Sequence, residues 1–263
     1  MSDLHTAAKR LIEAETTRTS CAPVRDLIGD TDQDLAYQVQ TLVTSARVEN
    51  GARVVGRKIG LTSRAVQTQL GVPSPDFGTL FDDMAYTDRE PIPLGRFLQP
   101  RVEAEVAVVL DRDLDSETAN VADVVRATDF VLPAIEVVDS RIAGWDIRIT
   151  DTIADNASSG AFVLGTNPKR LTDVDLPATG MAMEARGAVV STGAGVACLG
   201  SPVAAVAWLA RVSARQGTSL RAGDVILSGA LGPVAPVTSA GSFRARLSGL
   251  GEVTAIFTEG EPA

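Results

Sequence analysis

The sequence predicts an α+β protein in which a small helical N-terminal region, residues 1–52, packs on a larger mixed-β domain, residues 53–263. Three observations indicate this class. Apolar residues in the first ~50 positions recur at helical spacing. From Arg53 onward, short β-rich runs alternate with Gly, Pro and Asp turns. A single later segment returns to helical spacing, and no repeat or clear linker divides the chain.

The N-terminal region is predicted to contain two helices. Thr31-Asp-Gln-Asp34 resembles a capping box that opens the second helix. The apolar stripes of the two helices comprise Leu4, Ala7, Ala8, Leu11 and Ile12, then Ala36, Val39, Leu42, Val43 and Ala46.

The larger domain is predicted to contain eight strands and one late helix. Ser201 and Pro202 supply an N-cap and a first-turn proline for that helix, whose apolar face runs from Val203 to Val212. The predicted strands are Val54 to Ile59, Val102 to Leu110, Phe130 to Val138, Ala161 to Leu164, Met181 to Ala185, Val225 to Ser228, Phe243 to Leu247 and Val253 to Phe257.

Composition excludes several classes of function. The 263 residues carry a net charge of −9, which disfavours a nucleic-acid or anionic-membrane surface. The single histidine, His5, cannot build a His-based zinc site or a Ser-His-Asp triad from this chain alone. Cys21 and Cys198 fit no zinc pattern and suit a reducing compartment. The first residues lack a signal-peptide pattern and no apolar stretch approaches ~20 residues, so a cytoplasmic location is expected.

Three glutamates lie in otherwise apolar predicted strands. Strand alternation places Glu103 and Glu105 on one face with backbones about 7 Å apart, so both stay ionised only if a positive charge lies between them. A metal ion would supply it, with Glu136 as third ligand, and carboxylates favour Mg²⁺ or Mn²⁺. The Glu-x-Glu pattern also fits a solvated sheet face paired with arginines. The apolar neighbours of Glu136 favour the metal.

Two glycine-rich stretches fail as nucleotide-binding motifs. In Gly56-Arg-Lys-Ile-Gly-Leu-Thr-Ser63 the order of a phosphate loop is absent, and in Gly193-Ala-Gly-Val-Ala-Cys198 a cysteine replaces the third glycine. Both are interpreted as turns. Lys58 in the first stretch is either a surface lysine or, because the flanking glycines allow close approach, a lysine directed into a site.

Six motifs follow one another along the chain. They are Gly56-Arg-Lys-Ile-Gly-Leu-Thr62, Pro75-Asp-Phe-Gly-Thr-Leu-Phe81, Gln99-Pro-Arg-Val-Glu-Ala-Glu105, Pro133-Ala-Ile-Glu-Val-Val-Asp-Ser-Arg-Ile142, Asp151-Thr-Ile-Ala-Asp-Asn-Ala-Ser-Ser-Gly160 and Gly223-Asp-Val-Ile-Leu-Ser-Gly-Ala-Leu-Gly-Pro233. Together they resemble the 2-keto-4-pentenoate hydratases of the fumarylacetoacetate hydrolase superfamily, and the likeness runs from Ala22 to the C-terminus.

The resemblance implies a mixed β-roll domain of the fumarylacetoacetate hydrolase C-terminal type and a divalent metal on the three glutamates. It implies acid/base roles for Lys58 and Asp76 and substrate contacts from Asn156 and Ser158, with Ser228 a weaker candidate. From the residues alone, Asp76 also fits a turn and the Asn/Ser loop fits local capping. The resemblance further implies a homo-oligomer and association with neighbouring pathway enzymes.

The implied reaction adds water to 2-hydroxypenta-2,4-dienoate. A proton delivered to the terminal carbon gives a 2-oxo-3-enoate, and water then adds at C4. Within the same family, 4-oxalocrotonate decarboxylases are an alternative, although an apolar residue in place of Asp76 is their expected pattern. Hexadienoate and dienedioate hydratases are others, the latter needing a second cation such as Arg57 or Arg148. An inactive, metal-stabilised oligomeric homologue is the non-enzymatic alternative.

Overall fold

The computed structural model describes residues 3–63, 67 and 74–260. Among the helices that the structure describes in full, three precede the first strand and three lie between later strands. The helices are α1 (Asp3–Thr17), α2 (Arg25–Ile28), α3 (Gln33–Glu49), α4 (Val121–Ala127), α5 (Ile149–Ala154) and α6 (Pro202–Arg215).

The strands form two sheets. They are β1 (Val54–Gly60), β2 (Asp76–Phe81), β3 (Ala85–Thr87), β4 (Pro91–Pro93), β5 (Arg101–Leu110), β6 (Thr128–Val138), β7 (Ser159–Leu164), β8 (Gly180–Ala185), β9 (Ala188–Ala194), β10 (Val225–Leu227), β11 (Ala235–Pro236), β12 (Gly241–Leu247) and β13 (Gly251–Thr258). The larger sheet has the order β2-β1-β10-β5-β6-β7-β3, with β11 added to β5, and the smaller has the order β4-β13-β12-β8-β9. The predicted α+β architecture with a helical N-terminal region is confirmed.

The long antiparallel pair β5 and β6 forms the centre of the larger sheet. Its register places Glu103 opposite Glu136 and Glu105 opposite Ala134. The predicted alternation is confirmed, because Val102 and Val106 belong to the main core while Ala107 packs in a separate cluster on the other face. The same strand therefore supplies core packing on one side and carboxylates on the other.

The N-terminal helices have a hydrophobic cluster of their own. Apolar residues of α1 to α3 pack there with Ile142, Ile153 and Ala154. Cys21 lies beside Ile142 in an isolated bridge, and its N–H donates to Arg141 O at 2.8 Å. The region is thereby attached to α5 and to the segment that follows β6.

Several elements differ from the sequence prediction. The N-cap of α3 is Asp32, whose side chain accepts from Leu35 N at 3.1 Å, so Thr31 does not cap this helix. Pro75-Asp-Phe-Gly looks locally like a turn, but Asp76 begins β2 because it pairs with Gly60 of β1. The short helices α2, α4 and α5 and the strands β2, β3, β4, β9 and β11 were not predicted.

The predicted start of α6 is confirmed: Ser201 is the N-cap and its side chain accepts from Val203 N. One stretch, Gly195–Arg215, is long and apolar enough by composition to cross a membrane, contrary to the sequence expectation. Half of its most apolar window is buried inside the protein, and a single stretch of this kind is weak evidence for a membrane span. Leu209 and Ala210, for example, are fully buried in the main core.

Candidate active site

The three glutamates converge on the face of the larger sheet opposite the main core. A carboxylate oxygen from each of Glu103, Glu105 and Glu136 lies within 4.8 Å of the others. Glu105 and Glu136 are almost fully buried, whereas Glu103 is half-buried. The pairing of β5 with β6 in this register therefore brings the three carboxylates close together in a largely buried position.

The electrostatics of this cluster are those of an anionic site. Burial and the charge of Glu136 raise the pKa of Glu103 to about 7. Burial and both neighbouring carboxylates raise the pKa of Glu105 well above its ordinary value. Burial also raises the pKa of Glu136, although the charge of Lys58 opposes it. Three carboxylates so close together require a compensating cation to stay ionised.

The donor set fits a hard divalent cation. Within the described part of the chain, Glu105 Oε1 and Glu136 Oε2 are buried oxygens with no hydrogen-bond partner. Such unpaired buried acceptors are costly unless they ligate an ion. The remaining oxygen of Glu105, Oε2, accepts from Gly229 N at 2.8 Å. This hydrogen bond orients the carboxylate while leaving Oε1 free.

Lys58 lies beside the glutamates. Its Nζ is 3.1 Å from Glu136 Oε1, and only 2% of the residue is exposed. Burial alone would lower the pKa of Lys58, but the surrounding carboxylates, Glu136 first, raise it above its ordinary value. Lys58 is therefore a charged residue directed into the site rather than a surface lysine.

Asp76 also lies near Lys58. An added Cβ at Gly60 would lie 2.1 Å from Asp76 Oδ1 and 3.4 Å from Lys58 Nζ, so both side chains meet over this glycine. Any larger residue at position 60 would displace one of them. Among the described residues, however, the ion pair of Lys58 is with Glu136, and none within 4 Å joins it to Asp76.

The protonation of Asp76 follows from its surroundings. Asp76 is 1% exposed, and burial raises its pKa, while the charge of Lys58 and a hydrogen bond from Thr152 oppose the shift. Thr152 Oγ1 donates to Asp76 Oδ2 at 3.2 Å, and Oδ1 has no partner among the described residues. One carboxylate oxygen is thus fixed and the other is free to exchange a proton.

Asn156 and Ser158 lie in a single left-handed turn after α5. Residues 156–158 have φ values of 54°, 50° and 55°, a conformation that costs about 1–3 kcal/mol per non-glycine residue. Asn156 Oδ1 accepts from Thr79 N at 2.7 Å and its Nδ2 donates to Thr79 O at 2.9 Å, so its side chain is occupied by β2. Ser158 Oγ is buried with no partner among the described residues.

A buried ion pair holds this strained turn. Arg141 Nε donates to Asp155 Oδ1 at 2.5 Å, and Arg141 Nη1 donates to Ser159 O at 2.9 Å, so the arginine spans the turn. Asp139, two residues before Arg141, accepts from the main-chain N–H groups of Leu98 and Gln99.

Of the remaining candidates, Ser228 stays a candidate for the site, whereas Arg57 and Arg148 do not. Ser228 is fully buried at the end of β10, its N–H donates to Val106 O, and its Oγ has no partner among the described residues. Arg57 donates to Thr79 Oγ1 from the residue beside Lys58 in β1, so strand alternation directs the two side chains to opposite faces. Arg148 pairs with Asp30 at an exposed position. Neither arginine contacts the carboxylate cluster.

Comparison with known proteins agrees with the geometry of this site. Residues 53–257 match the family model described as fumarylacetoacetate (FAA) hydrolase C-terminal. The chain belongs to the fumarylacetoacetate hydrolase family. Its helices α1 to α3 precede the residues that match the family model.

Three relatives in the fumarylacetoacetate hydrolase family extend this match. A TodF product hydratase of Pseudomonas putida is 58% identical over 96% of this chain and 94% of its own. A 2-keto-4-pentenoate hydratase of Burkholderia vietnamiensis is 56% identical, with 96% of each chain covered. A 4-oxalocrotonate decarboxylase structure from Pseudomonas putida G7, complexed with magnesium and adipate, superposes with a TM-score of 0.93 at 34% identity, covering 97% of each chain.

Two contributors to the site were missed by sequence reasoning. Thr152 was missed although it lies in one of the six motifs, because its link to Asp76 joins residues 76 positions apart. Cys198 Sγ donates to Gly229 O at 2.9 Å, and Gly229 N donates to Glu105. Nothing in the sequence around Cys198 indicated this contact.

Proposed function

We propose that this protein is a hydro-lyase that adds water to 2-hydroxypenta-2,4-dienoate, or 2-keto-4-pentenoate, to give 4-hydroxy-2-oxopentanoate. Such a step belongs to the meta-cleavage degradation of aromatic compounds. The observation that carries the proposal is the pair Lys58 and Asp76, buried beside a carboxylate cluster. Its relatives at 56–58% identity, both named hydratases, support it.

The metal site of this hydratase is formed by Glu103, Glu105 and Glu136. Their all-oxygen donor set favours Mg²⁺ or Mn²⁺. When bound, such an ion supplies Lewis acidity that polarises substrate oxygens and favours the enolate form of a 2-hydroxydienoate. The magnesium in the decarboxylase structure supports a divalent ion in this fold.

Lys58 acts as a fixed positive charge. Because the surrounding carboxylates favour its ammonium form, it is suited to donate a hydrogen bond and not to act as a proton donor or a base. Its ion pair with Glu136 holds the ammonium at the edge of the carboxylate cluster. A substrate carboxylate or enolate oxygen placed there would be stabilised by it.

Asp76 exchanges the protons of the reaction. Hydration requires loss of the enol proton and a proton on the terminal carbon, followed by removal of a proton from the attacking water and a proton on C3. Burial raises the pKa of this carboxyl group above its ordinary value, and a carboxyl group can both accept and donate a proton, which suits this relay. Oδ1 is the free oxygen for the transfer, since Thr152 holds Oδ2.

The left-handed turn supplies the candidate substrate contacts. Ser158 Oγ and Ser228 Oγ are buried hydroxyl groups that need partners, and a substrate carboxylate would satisfy them. Asn156 contributes through the shape of the turn, because its side chain is bound to Thr79. Asn156 is therefore assigned as a residue that shapes the substrate site.

Two observations separate this function from the related alternatives. Asp76 favours hydration over decarboxylation, because hydration needs a group that activates water. Among the described residues, Arg57 and Arg148 do not contact the carboxylate cluster, so neither is placed to bind the second carboxylate of a dienedioate.

The test is to follow the loss of dienoate absorbance with pentadienoate, hexadienoate and hexenedioate substrates side by side. Pentadienoate should be consumed fastest, EDTA should abolish turnover, and Mg²⁺ or Mn²⁺ should restore it. Release of CO₂ from 2-oxohex-3-enedioate would instead indicate a decarboxylase. No turnover of any substrate would favour the inactive structural homologue.

We also propose that the enzyme acts in the cytoplasm as a homo-oligomer and that it associates with neighbouring pathway enzymes. Light scattering at micromolar concentration should give a mass several times that of the 27.4 kDa chain. A monomeric mass would contradict the homo-oligomer.

A further inference from the structure

Gln40 is a buried polar residue of α3. It is 5% exposed, and its Nε2 donates two hydrogen bonds, to Phe77 O at 2.9 Å and to Ile153 O at 2.8 Å. A side-chain amide has two N–H groups, and both are used here. Gln40 lies in the N-terminal helical region, outside the residues that match the family model.

The two carbonyl groups flank the acid/base site. Phe77 directly follows Asp76 in β2, and Ile153 directly follows Thr152 in α5. Thr152 Oγ1 donates to Asp76 Oδ2 at 3.2 Å. Gln40 thus connects the main chains of β2 and α5 one residue away from the side-chain hydrogen bond that orients Asp76.

The position of α5 depends on the N-terminal region. A helix of six residues is not stable alone. Asp151 of α5 accepts from Val24 N and Arg25 N, both at 2.9 Å, and Ile153 packs in the N-terminal hydrophobic cluster. Thr152 is therefore placed by α1 to α3 as much as by the sheet.

The same face of α3 also contacts β2. The ring of Tyr37, one turn before Gln40, stacks on Phe77 with centroids 4.7 Å apart. The stacked ring fixes the Phe77 side chain, and Gln40 fixes its carbonyl. Two contacts of different kinds thus hold the residue next to Asp76.

We propose that Gln40 is a positioning residue that holds Asp76 and Thr152 in their mutual geometry, so that the N-terminal helical region forms part of the active site. The inference rests on the proposed acid/base role of Asp76. Without the amide, two buried carbonyls lose their donors, and β2 and α5 shift to find others. The carboxylate cluster lies on β5 and β6 and stays in place.

The test compares Gln40→Met with Val39→Ala. Methionine has a similar length and no donor. Val39 is a fully buried neighbour whose truncation leaves a cavity in the same cluster but removes no hydrogen bond. Gln40→Met should lower kcat by about 10- to 100-fold, the usual effect of a small misplacement of catalytic groups, with KM and Mn²⁺ affinity unchanged. Val39→Ala should lower Tm and leave kcat near that of the wild type.

A double-mutant cycle tests the route of the effect. Thr152→Val removes the hydrogen bond to Asp76, so Gln40→Met with Thr152→Val should be little slower than Thr152→Val alone. If the losses in kcat multiplied in the double variant, the inference would be overturned. An unchanged kcat in Gln40→Met would also overturn it.

Crystal structures of Gln40→Met and Val39→Ala test the positioning role without any substrate. The Thr152 to Asp76 hydrogen bond should be lost in Gln40→Met and kept in Val39→Ala. An intact bond in Gln40→Met would refute the positioning role even if the enzyme proves to have another substrate. Failure of the wild type to hydrate the dienoate would instead count against the proposed function.

Discussion

Glu105→Gln is expected to change the stability of the metal-free protein and its affinity for metal in opposite directions. The carboxylate oxygens of the cluster lie within 4.8 Å of one another. At an effective dielectric constant of about 20, two full charges at that separation repel by about 3.5 kcal/mol. The repulsion acting in the protein is smaller, because burial and the neighbouring carboxylates raise the pKa of Glu105 and part of the charge is neutralised.

Removing this charge should therefore stabilise the metal-free protein by about 1–3 kcal/mol, or about 3–10 °C in Tm for a chain of this size. Glutamine can still accept from Gly229 N through its amide oxygen, so the packing is retained. The Kd for Mn²⁺ should rise at least tenfold, because loss of a residue that only hydrogen-bonds to a metal ligand already lowers metal affinity by about 10- to 100-fold. Each tenfold loss removes about 1.4 kcal/mol of metal-dependent stabilisation.

The assay is thermal unfolding of the EDTA-treated and Mn²⁺-saturated proteins, followed by calorimetry, with Mn²⁺ affinity measured by titration. Glu117→Gln is the matched control, because the same chemical change is made at an exposed glutamate. A metal-free Glu105→Gln protein that melts below the metal-free wild type, with an unchanged metal-induced shift, would refute the reasoning.

Three further predictions follow from the same site. Asp76→Asn should lower kcat by about 10²- to 10⁴-fold while metal binding is kept, and adding Lys58→Ala should cost little more than the poorer single variant; steady-state kinetics with a fully active Asp76→Asn would contradict this. Mn²⁺ affinity should fall as the pH is lowered from 8 to 6, because the pKa of Glu103 is about 7 and its protonation competes with the metal; calorimetric titrations showing no pH dependence would contradict this. Burial raises the pKa of the Cys198 thiol to about 12, so mass spectrometry should find it unalkylated by iodoacetamide in the native protein and alkylated after unfolding.

Local patterns in the sequence were enough to predict eight of the described strands and the face of the carboxylates. The period of two in β5 separates Glu103 and Glu105 from the core valines without knowledge of any partner strand. Family motifs then indicated Lys58 and Asp76, which local pattern alone would have assigned to a surface lysine and a turn. The structure brings both over Gly60 because β1 and β2 pair there.

Contacts between distant segments could not be predicted. The bond from Thr152 to Asp76 and the bonds from Gln40 to Phe77 and Ile153 join residues 37 to 113 positions apart. They depend on how α3, α5 and β2 pack, and no spacing along the chain encodes that packing. The binding of the Asn156 side chain to β2 has the same origin.

The most direct test of the account is the fate of solvent oxygen. Wild-type enzyme with Mg²⁺ should convert 2-hydroxypenta-2,4-dienoate in ¹⁸O-water to 4-hydroxy-2-oxopentanoate that carries the label at C4, as detected by mass spectrometry after reduction of the exchangeable ketone. Asp76→Asn should form this labelled product about 10²- to 10⁴-fold more slowly. A product without ¹⁸O at C4, or loss of CO₂ in place of water addition, would contradict the proposal that this site hydrates the dienoate.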